Sequence, residues 1–367
     1  MTTYIYELPE WPHFRWDNDT LSAPLADVRH RQGRLLGRME ALGFSIQKEA
    51  ELATLTLDVL KSSEIEGENL DAEQVRSSIA RRLGMDIAGI IPTDRNVEGI
   101  VEMMLDATQH FEKPIDKERL HAWQAALFPT GRSGMNKITV GAWRHDSSGP
   151  MEVVSGPTGR EKVHYQAPAA SLVDGEMSRF IRWANETDST DPVLRAALAH
   201  LWFVTIHPFE DGNGRIARAL ADLMLARSEK SAQRFYSMSA QIRLERNDYY
   251  DILERTQKGT LDITAWMEWF LECLGRAFGG TETTLGNVLH KARFWEKHSG
   301  LMLNDRQRLV LNTMLDGFEG KLTTAKWATL SKTSHDTALR DIQDLIDRGV
   351  LRKDPGGGRS TSYTLVL

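Results

Sequence analysis

The chain has 367 residues, 41% hydrophobic and 26% charged, with a formal net charge of −6, a balance that allows a sizeable core and two or three domains and excludes a disordered chain. That charge gives no overall pull toward nucleic acid or an anionic membrane, and the single cysteine, Cys273, excludes an internal disulfide framework and Cys-rich zinc sites. No apolar stretch reaches membrane-spanning length, and the first ten residues lack the basic start and apolar run of a signal peptide, so a cytoplasmic protein is expected.

In chain order, residues 1–20 are rich in aromatics (Tyr4, Tyr6, Trp11, Phe14, Trp16), and Pro9 and Pro12 break any helix there, so they read as an extended arm. Leu25, Val28, Leu35, Leu36, Met39 and Leu42 predict a helix after Pro24 that ends near Gly43, and 46–60 predicts another. Residues 62–70 read as a helix end closed by Gly67, with Glu64, Glu66 and Glu68 as solvated charges. Helical spacing continues through Leu127. Between 131 and 168 Gly, Pro and Ser become frequent, and the β-prone runs 151–154 and 162–165 around 155–159 predict a hairpin.

The apolar run 194–206 then reads as a buried helix that His207-Pro208 stops. Gly212-Asn213-Gly214 can take positive φ and bring backbone N–H groups close to a ligand, and Ile216, Leu220 and Leu223 start a second helix. A loop at a helix N-terminus favours an anion. Around it stand Asp211, a hard-oxygen donor suited to Mg²⁺, Arg215 and Arg218, forked donors to phosphate oxygens, and His207, a general base near neutral pH.

The stretch His207-Pro208-Phe209-Glu210-Asp211-Gly212-Asn213-Gly214-Arg215-Ile216-Ala217-Arg218 resembles, without departure, the HPFx(D/E)GNGRxxR signature of the Fic (filamentation induced by cAMP) family. Most members transfer AMP from ATP to a protein hydroxyl. The resemblance implies that His207 deprotonates the target hydroxyl, Asp211 holds Mg²⁺, the Gly212, Asn213 and Gly214 segment cradles phosphates, and Arg215 and Arg218 bind the phosphate tail. Phe209 would anchor the loop in the core.

Upstream, Ser62-x-x-x-Glu66-Gly67 is similar to the (S/T)xxxE(G/N) inhibitory motif of the commonest bacterial class. Glu66 would then pair with Arg218 and occupy the donors of the γ-phosphate. The aromatic arm and the helix after Pro24 resemble the module that precedes Fic domains in many bacterial proteins. The hairpin sits where the family places the flap that registers a target segment by strand addition, with 141–144 at its start and Val153, Val154, Ser155 and Gly156 bordering the nucleotide. After the signature helix, an amphipathic helix capped at Gly259 carries Tyr249, Tyr250 and Gln257, which the resemblance places against adenosine. Adjacent tyrosines on a helix point about 100° apart, so one is free of the core.

Gly279-Gly280 reads as a hinge before a helical linker over 279–300. Beyond it, helices over 305–316, 323–331 and 334–348 and strands around 355–358 resemble a winged helix at 301–367. Ten basic and eight acidic residues there, with Asp336, Asp341, Asp344 and Asp347 on the third helix, face a phosphate backbone poorly, whereas Arg352, Lys353 and Arg359 favour it. Protein contact and DNA binding both stay open.

The expectation is an all-α chain: an arm with helices at 1–100, a Fic helical core with a β-hairpin flap at 101–278, a linker at 279–300 and a winged-helix domain at 301–367. The implied activity is protein adenylyl transfer from Mg-ATP to a Ser, Thr or Tyr hydroxyl of a target protein or of the chain itself, braked by Glu66, with a homodimer as the family habit. Removal of AMP, transfer of another phosphate-containing group, and a nucleotide-sensing DNA-binding regulator are the alternatives.

Overall fold

The computed structural model describes residues 3–85, 90–145, 149–156, 160, 162–298, 300–317, 320–355 and 361–366. Apolar residues recurring every three or four positions make most of it helical. A short 3-10 turn at Ile5–Glu7 precedes α1 (Asn18–Glu40), α2 (Phe44–Ile65), α3 (Ala72–Arg82), α4 (Arg95–Gln109) and α5 (Lys117–Leu127). Two antiparallel hairpins follow: β1 (Arg132–Ser133) with β2 (Asn136–Lys137), and β3 (Glu152–Ser155) with β4 (Lys162–Gln166). Then come α6 (Ala170–Asn185), α7 (Pro192–Ile206), α8 (Asn213–Glu229), α9 (Met238–Leu244), α10 (Arg246–Gln257) and α11 (Thr264–Lys297). The last part holds α12 (Asp305–Asp316), β5 (Leu322–Thr323), α13 (Thr324–Leu330), α14 (His335–Asp347), β6 (Leu351–Lys353) and β7 (Ser362–Leu365), its strands forming one antiparallel sheet in the order β5-β7-β6.

The centre is the α7–α8 pair. Asp191 caps α7 by accepting from the Val193 N–H, and Pro192 follows it at the first helical position, where its missing N–H costs nothing. Every residue from Val193 to Ile206 is buried, as befits a helix apolar all round. The helix stops where His207 turns left-handed, φ 52° and ψ 58°, because Pro208 disfavours helical backbone at the residue before it. Gly212, at φ 90°, then reverses the chain into α8.

Two expectations from the sequence are corrected. The first helix starts at Asn18, before Pro24, because Asp17 caps it and burial of Leu21, Val28, Leu35 and Met39 along one face outweighs the hydrogen bond that proline forfeits. No hinge breaks the chain at Gly279-Gly280. Helix α11 runs through both glycines, each costing about 1 kcal/mol relative to alanine, and buried Ala277, Phe278 and Thr281 hold that turn. The expected linker is therefore the second half of α11. Its Val288 belongs to the main hydrophobic cluster, while Phe294 packs in a second one with Val310, Trp327, Ile342 and Leu345. The loop residues Pro157, Thr158 and Gly159 between β3 and β4, the glycines 356–358 and Arg359 lie outside the described residues.

Helix α4 packs on both α5 and α8, and its Gly99 makes that approach close: a Cβ there would lie 1.8 Å from the carbonyl oxygen of Ala126. Backbone cannot yield as a side chain does. Replacing Gly99 by Ala is therefore expected to destabilise the fold by about 1–3 kcal/mol or more, read from the urea midpoint; an unchanged midpoint would contradict this packing.

Candidate functional site

The loop between α7 and α8 is stapled from three sides. Phe209 is buried against Trp143, with ring centroids 5.0 Å apart. The Asn213 side chain accepts from the Phe209 N–H at 3.0 Å and donates to the Phe209 carbonyl at 2.8 Å, so it closes the loop on itself. Its side-chain amide is thus engaged within the loop. Buried Arg144 completes the clamp, its N–H donating to the Pro208 carbonyl at 2.9 Å and its Nε to the His207 carbonyl at 2.8 Å.

That clamp fixes His207. Its Nδ1 lies 3.2 Å from the Val204 carbonyl, an acceptor only, which assigns the proton to Nδ1 and leaves Nε2 with a free lone pair. Desolvation by the surrounding walls pushes the imidazole down to about 4. The ring is therefore neutral at pH 7.

Next along α8, Arg215 and Arg218 are buried. Arg218 donates from Nε to the Ser62 hydroxyl and from Nη2 to the Ser62 carbonyl, both at 2.9 Å, and its Nη2 lies 2.9 Å from Glu66 Oε1. Burial works to lower its pKa, and the Glu66 carboxylate together with the Tyr249 and Tyr250 side chains raises it above the ordinary value. Arg215 stacks over the Phe128 ring at 5.1 Å and reaches Glu68 Oε2 at 2.6 Å. Glu68 had read as a solvated charge. Gly67, at φ 82°, turns the chain past the end of α2 so that both glutamates meet the arginines of α8. Arg218 Nη1 and Arg215 Nε are buried with no hydrogen-bond partner among the described residues, spare donors of the kind a phosphate tail would use.

Of the expected glycine nest, Gly212 alone takes positive φ. Gly214 is helical and serves close approach instead, because a Cβ there would lie 2.2 Å from Glu66 Oε1. Asp211 accepts from the Gly212 N–H at 2.6 Å on Oδ1 and from the Ser133 hydroxyl on Oδ2. Neighbouring Glu210 takes the N–H and hydroxyl of Thr139 at 3.0 and 2.6 Å. No cluster of three or more His, Cys, Asp or Glu side chains that could hold a metal occurs among the described residues. One carboxylate fits Mg²⁺, which keeps waters and takes phosphate oxygens as its other ligands.

A cavity of about 470 Å³ brings His207, Glu66 and Gly214 together with Val153, Val154 and Ser155 of β3 and with Tyr249, Tyr250 and Gln257 of α10. Gly156, exposed at φ 104°, is not among its walls. Tyr249 is buried with its hydroxyl 2.9 Å from His200 Nε2, while Tyr250 is only half-buried. Gln257 donates to Thr205 Oγ1 at 3.3 Å. The sequence reading missed Arg144, Glu68 and Ser133 as contacts of this loop, and His164 and Glu254 as further walls. Their partners lie 63 to 147 positions away, beyond the reach of any local pattern.

Residues 114–225 match the model of the Fic/DOC family, and residues 4–85 match a domain of unknown function (DUF4172). The chain is similar to a curated protein named protein adenylyltransferase Fic from Drosophila yakuba, 38% identical over 26% of this chain and 18% of that one, so it spans under a fifth of that relative's length. Its fold resembles that of a Fic family protein from Desulfovibrio desulfuricans G20, with TM-score 0.52, 20% identity and coverage of 95% of this chain and 96% of that one. A Fic domain containing signaling protein from Bacteroides thetaiotaomicron is similar with TM-score 0.51 and 20% identity, over 73% of this chain and 97% of that one.

His200 gives the site a stability signature. Burial holds its imidazole down at about 3, so between that value and the unfolded histidine value near 6.5 the unfolded chain binds a proton that the folded chain refuses. Its contribution is complete above about pH 6.5 and falls by about 1.4 kcal/mol per pH unit below it. Urea midpoints measured from pH 7.5 to 5 should decline only below about 6.5, and less steeply in His200→Gln; equal slopes in both proteins would contradict the neutral buried ring.

Proposed function

For a chain that carries a Fic/DOC family domain at residues 114–225, we propose protein adenylyl transfer: AMP moves from ATP to a Ser, Thr or Tyr hydroxyl and pyrophosphate leaves. The observation that carries this reading is a neutral histidine with a free Nε2 in one cavity with Glu66, beside two buried arginines with spare donors. His207 Nε2 takes the proton of the attacking hydroxyl. Arg215 and Arg218 balance the charge that builds on the departing phosphates. Mg²⁺ on Asp211 would supply further neutralisation of that charge. Val153 and Val154 with the Tyr250 ring form apolar walls for the adenosine, and β3 pairs only with β4 among the described strands, which leaves an edge for a target segment.

Glu66 and Glu68 act on this reading as one brake. Each carboxylate takes donors that phosphate oxygens would otherwise take, and a carboxylate and a phosphate compete for one guanidinium. Helices α12 to α14 with the β5-β7-β6 sheet support reading 301–367 as a winged helix, after an arm and inhibitory helix at 1–100 and a core at 101–278.

One observation favours a second role for that C-terminal part. Asp341 is buried and accepts from Arg306 at 2.9 Å, and Asp344 accepts from Gln307 and Arg348 at 2.8 and 2.9 Å. Two of the acids that counted against DNA contact are thus neutralised within the fold, and Arg340 and Gln343 stay exposed on α14. Salt-dependent duplex binding by the full chain tests that role.

Labelled ATP added with the chain to a bacterial lysate tests the enzyme. Glu66→Gly should raise labelling of other proteins at least tenfold, and Glu66→Gly/His207→Ala should abolish it. Because His207 stays neutral down to about 4, the labelling rate should not fall between pH 8 and 6. Trans labelling retained without His207 would reject it as the base.

A further inference from the structure

The loop between α7 and α8 carries two adjacent carboxylates, Glu210 and Asp211, and the β1–β2 hairpin reaches both. That hairpin springs from the end of α5, where the Gly131 N–H donates to the Phe128 carbonyl at 2.9 Å and the Ile138 N–H to the Gly131 carbonyl at 3.1 Å. Packing sets its base against the loop: a Cβ on Gly212 would lie 3.0 Å from both Leu127 Cδ1 and Phe128 Cε2, and the Arg215 guanidinium stacks over the Phe128 ring at 5.1 Å. From this anchor each leg of the hairpin holds one acid. On the second leg, the Thr139 N–H and hydroxyl donate to Glu210 Oε2 and Oε1 at 3.0 and 2.6 Å. On the first, the Ser133 hydroxyl donates to Asp211 Oδ2. Gly134, at φ 55°, turns the chain back so that Asn136 pairs with Ser133, which fixes the serine backbone.

Asp211 thus takes one donor on each oxygen, Ser133 on Oδ2 and the Gly212 N–H on Oδ1 at 2.6 Å. A carboxylate has about four lone-pair sites, so this arrangement fixes the plane of the group and still leaves a site on each oxygen for a cation. Without the serine, that plane is held at one oxygen only, by the neighbouring residue of the same loop. We propose that Ser133 is a positioning residue for the metal of this site: its hydroxyl orients the Asp211 carboxylate toward Mg²⁺, and the Thr139 contacts to Glu210 hold the hairpin from which it acts. This rests on the adenylyl-transfer reading above, in which Asp211 holds Mg²⁺. Hydrogen-bond partners of metal-binding carboxylates typically change metal affinity by about ten- to hundredfold. Ser133 is only half-buried, and Arg132 and Gly134 on either side of it are exposed. Losing its hydroxyl therefore removes one directed contact and leaves the hydrophobic core untouched.

Calorimetric titration of α,β-methylene-ATP, which cannot release pyrophosphate, reads the metal-linked part of nucleotide affinity without turnover. In the Glu66→Gly chain, Mg²⁺ should strengthen binding at least tenfold relative to EDTA. Adding Ser133→Ala should cut that gain to threefold or less, with affinity in EDTA unchanged within twofold. Adding Ser133→Thr instead, which keeps the hydroxyl, should keep most of the gain. An Ala variant with the full gain, or one that loses affinity equally in Mg²⁺ and in EDTA, would overturn the proposal, the second because the hairpin would then only shape the cavity. No gain in the Glu66→Gly chain itself would overturn it together with Asp211 as the Mg²⁺ residue. A gain that Ser133→Ala lowers supports it even where labelled ATP marks no protein in the lysate, a result that would reject adenylyl transfer alone.

Discussion

Two ion pairs, Glu66 with Arg218 and Glu68 with Arg215, set the state in which this chain is folded. Both guanidiniums are buried on α8, and a buried charge stripped of its partner is destabilising, the more so for Arg218, whose carboxylate is less exposed to solvent than that of Arg215. The two glutamates from the end of α2 supply those partners. On the adenylyl-transfer reading proposed above, a phosphate tail would compete with them for these guanidiniums, so the contacts that stabilise the resting chain would also oppose its substrate. Ser62 strengthens the pairing, giving Arg218 a hydroxyl and a carbonyl to bond.

That pairing sits beside a loop held by hydrogen bonds on several sides. Asn213 bonds Phe209, Arg144 holds the His207 and Pro208 carbonyls, and Ser133 and Thr139 bond Asp211 and Glu210. Each contact ties the loop to a different part of the chain, from α8 itself to the segment around β1 and β2. Such preorganisation is what a site for charge transfer requires, since donors already in place need not reorganise as charge develops. The cavity beside it then holds His207, an imidazole whose Nδ1 is bonded to an acceptor and whose Nε2 is therefore a base.

Much of this was legible in the sequence because it is local. The apolar run over 194–206, the turn at Gly212, the strands on either side of 155–159 and the facing of Glu66 toward Arg218 followed from spacing or from resemblance. What was not legible depends on distant partners. The bonds of the Asn213 side chain to Phe209 within the loop are set by a geometry that spacing does not reveal. Glu68 is exposed as expected, but its pairing was not legible, because its partner is 147 positions away. Gly279-Gly280 looked like a hinge because propensity is a weak prior, overridden here by burial on either side. Pro24 misled in the same way, since capping by Asp17 and a buried face carry the helix through it.

The central claim is competition between two carboxylates and a phosphate tail for Arg215 and Arg218. Calorimetric titration of Mg-ATP and of adenosine into the chain and into its Glu66→Gln/Glu68→Gln variant tests it most directly. The account predicts at least a tenfold gain in ATP affinity in the variant with adenosine affinity unchanged within twofold. Equal ATP affinity in the two proteins, or a matching gain for adenosine, would contradict it.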